Sequence, residues 1–187
     1  MEYAKTISRN IGMINKLKFF IPEHILYSLY YTLVLPYINY AILIWGNTCI
    51  TYLEKIHKLQ KWAMRSISNS HYRSHSRALF YKYGMLHVFD TYKLEVAVFI
   101  YKFFVKELPK SFDNFFVKRS DIHNYHTRNS NKYNQTRNKK VFTDKSIKTS
   151  GPLLWNSLTE NLKLANSTNH FRNKYKQHVI SSYNSDN

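Results

Sequence analysis

Glycine and proline are scarce in this chain, at four residues each among 187. Sandwiches and barrels ordinarily need more turn residues, so helices are favoured over an all-β fold. Cys49 is the single cysteine, which excludes a disulfide framework and a cysteine-based zinc site. The residues before Ile11 contain no apolar core of a secretory signal. We therefore expect a helical protein of a reducing intracellular compartment, nuclear or cytoplasmic.

Acidic residues are also few. Eleven Asp and Glu stand against 28 Lys and Arg, which gives a formal charge of +17. Such an excess repels itself unless an anionic partner is near. Nucleic acid is the commonest such partner and a membrane surface the second. A basic protein that is merely soluble is the alternative.

The motifs of catalysis are missing. A polymerase holds divalent metals on paired carboxylates, but no two of the five aspartates are adjacent and none follows a strand-like apolar run. There is no Gly-rich phosphate loop, and neither a cofactor nor a small-molecule substrate is predicted. We expect that this chain by itself is not an enzyme.

Two pairs of histidines have spacings that share a metal when they lie on a helix: His71 with His75, and His123 with His126. Both pairs fall in polar, helix-poor stretches, and no carboxylate or cysteine is placed to complete a ligand set. Solvated histidines are the preferred interpretation, and no metal site is predicted.

The stretch from His24 to Leu53 contains no Lys, Arg, Asp or Glu and is long enough to cross a bilayer. It also contains Pro36 and several polar residues, and its tyrosines are spread along it rather than gathered at two interfaces. A buried helical hairpin therefore explains it better. A membrane protein anchored by residues 27–45 remains the alternative.

Apolar residues recur at helical spacing in several segments. The first, Tyr3 to Leu17, is amphipathic with a basic side toward solvent. Pro22 suits the start of the next helix, and Pro36 breaks or kinks it. Gly46 and Gly84 are plausible stops. Later helices are expected at about 51–67, 78–83, 90–104, 146–158 and 168–183, of which the one after residue 90 is apolar on nearly every side and belongs in the core.

Composition shifts after Arg119. Between Ser120 and Lys140 there are five asparagines and few large apolar residues. A loop or disordered linker is the expected result. The predicted organisation is an all-α helical bundle at 1–118, a basic Asn-rich linker at 119–145 and a small helical C-terminal extension at 146–187.

One predicted helix carries a row of cations at offsets of three and four, with Glu54 as the only acid on it: Lys55, Lys58, Lys61 and Arg65. Cations one turn apart suit a phosphate backbone, although a solvated face is their usual role. The neighbouring Trp62 is able to stack on a base, but packing in the core is the preferred expectation for it.

The linker has a second basic run, interleaved with Tyr125 and Tyr133: Arg128, Lys132, Arg137, Lys139 and Lys140. Cations and aromatic rings together are the ingredients of single-strand binding. An inert, solvated linker is the alternative. Both runs are predicted to contact nucleic acid.

Several motifs occur in a specific order: Ile-Ser-Arg-Asn-Ile-Gly at 7–12, Leu-Pro-Tyr-Ile-Asn-Tyr at 35–40, Trp-Gly at 45–46, Leu-Gln-Lys-Trp-Ala-Met-Arg at 59–65, His-Thr-Arg-Asn at 126–129 and Gly-Pro-Leu-Leu-Trp-Asn-Ser-Leu at 151–158. Together they resemble the region after the catalytic palm in reverse transcriptases of LINE-type, jockey-like non-LTR retrotransposons. Ala41 departs from this pattern, because a cysteine usually follows the Asn-Tyr pair.

The resemblance implies a thumb that grips the template–primer duplex, so RNA or an RNA–DNA hybrid is the expected partner. In that family the endonuclease, the fingers and the palm with its paired aspartates would precede Met1. The chain is thus expected to be a truncated element, and reverse transcription to belong to the full-length parent. An inert transposon relic is the alternative.

Overall fold

A computed structural model of the chain describes residues 2–122, 132–135 and 146–184. These residues are mostly helical and form no sheet, which confirms the predicted all-α class. One isolated antiparallel bridge joins Lys118 and Tyr133 within the described part.

Ten α-helices lie within the described ranges, and we number them in chain order. They are α1 Glu2–Leu17, α2 Glu23–Leu33, α3 Leu35–Asn39, α4 Ile42–Trp45, α5 Ile50–Ile67, α6 Arg77–Lys82, α7 Val88–Phe104, α8 Ile147–Ser157, α9 Glu160–Lys163 and α10 Thr168–Ser182. Short 3-10 helices span Lys110–Phe112 and Arg119–Asp121.

The chain divides into two compact units. The first comprises Met1–Tyr92 and Gln177–Asn187, and the second comprises Lys93–Lys176. These limits do not coincide with the boundaries expected at 118 and 145.

Helix α1 contributes the predicted apolar stripe to the first unit. Ile7, Ile11 and Ile14 are at most 1% exposed, because residues at offsets of three and four share one side of a helix. On the same buried side, the side-chain amide of Asn10 donates to the carbonyl of Leu33 at 2.6 Å. That carbonyl belongs to the last turn of α2, where carbonyls lack intrahelical partners.

A buried glutamine links α5 to the start of α7. Gln60 is fully buried, and its Oε1 accepts the backbone N–H of Val88 at 2.8 Å. Its Nε2 donates to the hydroxyl of Tyr30 at 3.3 Å. Helix α7 begins at Val88, two residues before the start expected at about residue 90, and a side chain distant in sequence accepts the N–H of its first residue.

The charge-free stretch is divided among α2, α3, α4 and the start of α5. Ala41, with a φ of 50°, separates α3 from α4. Within this charge-free stretch, Val34 and Ile38 are fully buried, whereas Tyr40 and Ile44 are 64% and 85% exposed. None of the helices in the described ranges combines the length and hydropathy needed to cross a bilayer.

Two glycines end helices in this unit for different reasons. Gly84 follows α6 with a φ of +59°, which glycine adopts without strain. Gly46 follows α4 with an ordinary φ of −69°. A methyl group there would lie 2.4 Å from the Tyr92 ring, so close approach requires this glycine.

The core of the second unit is aromatic. The rings of Tyr101 and Phe171 stack with centroids 4.5 Å apart, and Trp155 packs 6.0 Å from Phe171. Arg172 forms a two-pronged ion pair with Glu95. This unit therefore uses rings where the first uses mainly aliphatic side chains.

Part of the expected linker is tied to the second unit. The N–H of Asn134 donates to Val117 at 2.8 Å, and the N–H of Arg119 donates to Lys132 at 3.0 Å. Tyr133, which lies between Lys132 and Asn134 in the chain, is only 3% exposed. Residues 132–135 thus pack against the unit, which composition alone did not indicate.

Candidate nucleic-acid interface

Helix α5 places its four predicted cations on one side, which we call the α5 face (Lys55, Lys58, Lys61 and Arg65). The spacing of three, three and four residues along the helix produces this alignment. Lys55 and Lys58 are exposed, whereas Lys61 and Arg65 are half-buried. Within the described ranges none of the four forms an ion pair, even though Glu54 lies one turn before Lys58.

Arg65 differs from the three lysines. Its Nε donates to the backbone carbonyl of Ser74 at 2.9 Å. This bond holds the segment between α5 and α6 against α5. Arg65 thus has a structural role besides its charge. Substitution of the three lysines removes charge without breaking this hydrogen bond.

Trp62 lies within the α5 face, four residues after Lys58 and seven after Lys55. It is 37% exposed, so the expectation of core packing was wrong. A methyl group at Gly12 of α1 would lie 3.9 Å from its Cη2 atom. The indole ring therefore rests against α1 at a position that has no side chain, and part of its surface stays in water.

Helix α1 adds cations beside this contact. Gly12 lies three residues after Arg9 and four before Lys16, so all three share one side of α1. Arg9 and Lys16 are exposed, as is Lys5. Sequence reasoning assigned these cations to solvent and missed their proximity to α5, because helix packing is not visible in periodicity. The glycine between two cations was the only available signal.

His57 faces inward from α5 and adds no charge at neutral pH. Burial, and secondly the charge of Lys61, lowers the pKa of His57 to about 4. Its ring lies 4.8 Å from that of His87, whose pKa is also lowered, mainly by burial. Beside them the Tyr183 hydroxyl donates to Asp90 at 2.5 Å. This cluster was not predicted, since His57 and Tyr183 are far in sequence from His87 and Asp90.

Of the predicted linker cations, only Lys132 can be located. Its side chain is exposed. Arg128, Arg137, Lys139 and Lys140 lie outside the described residues, as does Tyr125. The predicted stacking role of Tyr133 was wrong, because its ring is buried near Phe116 and Phe103, at centroid distances of 5.9 and 6.0 Å.

The histidine pairs do not assemble a ligand set in the described part of the chain, where no three potential ligands come together. His71 and His75 lie in the segment between α5 and α6, and the Nδ1 of His71 accepts the Arg73 N–H at 3.3 Å. His123 and His126 lie outside the described residues.

The α5 face is thus a convex row of cations with one partly exposed indole. Such a row attracts a polyanion but offers little that would distinguish one base from another. Comparison of the chain with protein-family models, with curated proteins and with solved structures finds no match.

Proposed function

We propose that this chain is the thumb and following segment of a LINE-type reverse transcriptase, and that it binds RNA or an RNA–DNA hybrid through the phosphate backbone. The observation that supports the proposal best is the α5 face. Lys55, Lys58 and Lys61 form one row, and no carboxylate of the described residues pairs with them.

The length of the row suits a nucleic-acid strand. The six residue steps from Lys55 to Lys61 rise about 9 Å along the helix. Successive phosphates of one strand advance about 3.4 Å along the duplex axis, so the row spans about three of them. Arg9 and Lys16 of α1 are exposed on either side of Gly12, which lies against Trp62, so they add positive charge beside the row.

Phosphate contacts position a protein but do not read bases. We therefore expect binding that is largely independent of sequence. The charges favour a polyanion, and the family resemblance identifies that polyanion as the template–primer duplex. Polymerisation would belong to a longer parent protein, so extension of a primed RNA template by this chain alone would contradict that part of the proposal.

The test is a titration of a labelled, blunt RNA–DNA hybrid at several salt concentrations. Each phosphate contact contributes about −0.9 to the slope of log K against log salt. The triple variant Lys55→Ala/Lys58→Ala/Lys61→Ala is expected to make the slope shallower by about 2 to 3. Arg65 is left intact because its bond to Ser74 would confuse loss of charge with loss of structure.

A control must remove the same charge elsewhere. Lys102→Ala/Lys110→Ala/Lys148→Ala also removes three cations, all from the second unit. Its slope is expected to stay close to that of the unmodified chain. Equal flattening in both variants would show that net charge, not the α5 face, drives binding. Absence of hybrid binding by the unmodified chain would overturn the proposal itself.

A further inference from the structure

A cleft of about 610 Å³ opens within the second unit. Its volume lies in the range of sites that hold small ligands. Three lysines line it, Lys118, Lys132 and Lys163, together with the rings of Phe104 and Trp155. We call it the Lys132 cleft.

The lysines converge from three separate segments: the residue before the second 3-10 helix, the segment 132–135, and the end of α9. Among the residues that line the cleft, Glu160 is the only acid. Its carboxylate lies 2.9 Å from the Nζ of Lys163, and the side chains of Glu160 and Lys163 are 82% and 17% exposed. Three cations against one acid leave an excess of positive charge at the cleft.

The backbone that carries two of these lysines is held in place. Asn156 accepts the Tyr133 N–H at 3.1 Å and donates to the Tyr133 carbonyl at 3.0 Å. The bridge between Lys118 and Tyr133 completes the restraint. A backbone that is already restrained loses less conformational freedom when a ligand binds.

An aromatic ring is available beside the charges. Phe104 packs against Trp155 with centroids 5.9 Å apart, yet 51% of its surface is exposed. Trp155 is itself only 6% exposed, so it supports Phe104 from the core. An open ring next to several cations has the two features that bind an unpaired nucleotide: stacking of the base and attraction of the phosphate.

We infer that the Lys132 cleft binds one unpaired nucleotide, with the base on Phe104 and the phosphate among the lysines. The inference rests on the proposed function only for the class of ligand, and it does not involve the α5 face. Paired bases inside a duplex do not present their faces, so a blunt duplex should not fill the cleft. An acidic peptide would satisfy the lysines but leave the ring unused.

The experiment is a fluorescence titration of the whole chain with a labelled single-stranded tetranucleotide. Lys118→Ala/Lys132→Ala is expected to weaken binding about tenfold, and the charge-matched Lys110→Ala/Lys148→Ala by less than about twofold. Phe104→Leu keeps an apolar side chain but removes the ring, and should weaken binding about fivefold. Leu153→Ala is its control, because Leu153 has the same exposure and does not line the cleft.

Competitors separate the possible sources of the ligand. Displacement by uridine monophosphate at similar concentrations would identify a free nucleotide, and displacement only by unlabelled tetranucleotide would identify a strand. Either result supports the inference. Equal displacement by tripolyphosphate or by an oligoglutamate of the same charge would overturn it, as would equal losses in the cleft variants and their controls.

The α5 variant keeps the two proposals distinguishable. Lys55→Ala/Lys58→Ala/Lys61→Ala should retain tetranucleotide binding, because none of these lysines lines the cleft. If the unmodified chain binds the tetranucleotide but not the hybrid, the proposed function is contradicted and the cleft inference stands. The reverse pattern would affect the cleft alone.

Discussion

The two units present positive charge in different ways. In the first, Lys55, Lys58 and Lys61 follow one another along the outside of a single helix. In the second, Lys118, Lys132 and Lys163 converge on a cleft that also contains an open aromatic ring. A convex row suits the continuous backbone of a duplex, whereas a concave site with a ring suits one unpaired nucleotide. Similar cations are thus proposed to bind different ligands because their surroundings differ.

The cores differ as well. Aliphatic side chains of α1 and α5 make up much of the core of the first unit, with buried amides of Asn10 and Gln60 between the helices. Rings fill the second, among them Tyr101, Trp155 and Phe171. Removal of a buried ring from the second core and of a buried amide from the first tests how each contributes to stability.

The largest effect is expected from Phe171→Ala in the aromatic core. Phe171 is fully buried and stacks on Tyr101. Loss of a buried ring and the cavity left behind should lower the free energy of unfolding by about 3 to 5 kcal/mol in urea titrations. Leu153→Ala, at a position 51% exposed, should change it by less than about 0.5 kcal/mol. Similar losses for the two variants would contradict the placement of Phe171 at the centre of this core.

In the first unit, we expect the buried hydrogen bond between Val88 and Gln60 to contribute to the free energy of unfolding. Gln60→Leu keeps the side chain's bulk but leaves the Val88 N–H buried without its acceptor. The expected loss is about 2 kcal/mol of unfolding free energy, the usual cost of an unsatisfied buried donor. Lys58→Leu on the exposed side of the same helix is the control and should be nearly neutral. A neutral Gln60→Leu would mean that apolar packing alone maintains this unit.

Acid should weaken the first unit through His57. Its pKa is about 4 in the fold against an ordinary 6.5, so between these values the unfolded chain binds a proton that the folded chain does not. The contribution of neutral His57 to the free energy of unfolding is fully present above pH 6.5 and is lost progressively as the pH falls toward 4. The loss should reach about 2 kcal/mol near pH 4.5. His57→Phe should reduce the pH dependence of the unfolding free energy measured in urea over this range, and an unchanged pH dependence would refute the shift.

The smallest effect is expected from Trp62→Ala on binding of the hybrid duplex. Trp62 lies in the α5 face, but phosphate contacts should dominate there, so Kd should rise less than about threefold. Phe104→Leu should instead change tetranucleotide binding while leaving the blunt duplex unaffected. A large loss of duplex affinity in Trp62→Ala would mean that the α5 face also stacks on bases.

What could be predicted from the sequence depended on whether the partners were close along the chain. The apolar stripe Ile7, Ile11 and Ile14 and the row Lys55, Lys58 and Lys61 were visible because their spacing follows the helix period. The hydrogen bonds between Asn156 and Tyr133, and the bond from the Val88 N–H to Gln60, join residues 23 and 28 positions apart. Periodicity carries no information on such contacts, so the sequence did not predict the burial of Tyr133 or the Lys132 cleft, which are visible only in the structure.

The most direct test measures two ligands on two variants in one buffer: the blunt hybrid and the tetranucleotide, each with the α5 lysine triple variant and with Lys118→Ala/Lys132→Ala. We expect a crossed result. The triple variant should lose affinity and salt dependence for the hybrid alone, and the cleft variant should lose affinity for the tetranucleotide alone. If both variants weaken both ligands in proportion to the charge removed, neither surface is a site, and the assignment of function to these residues is wrong.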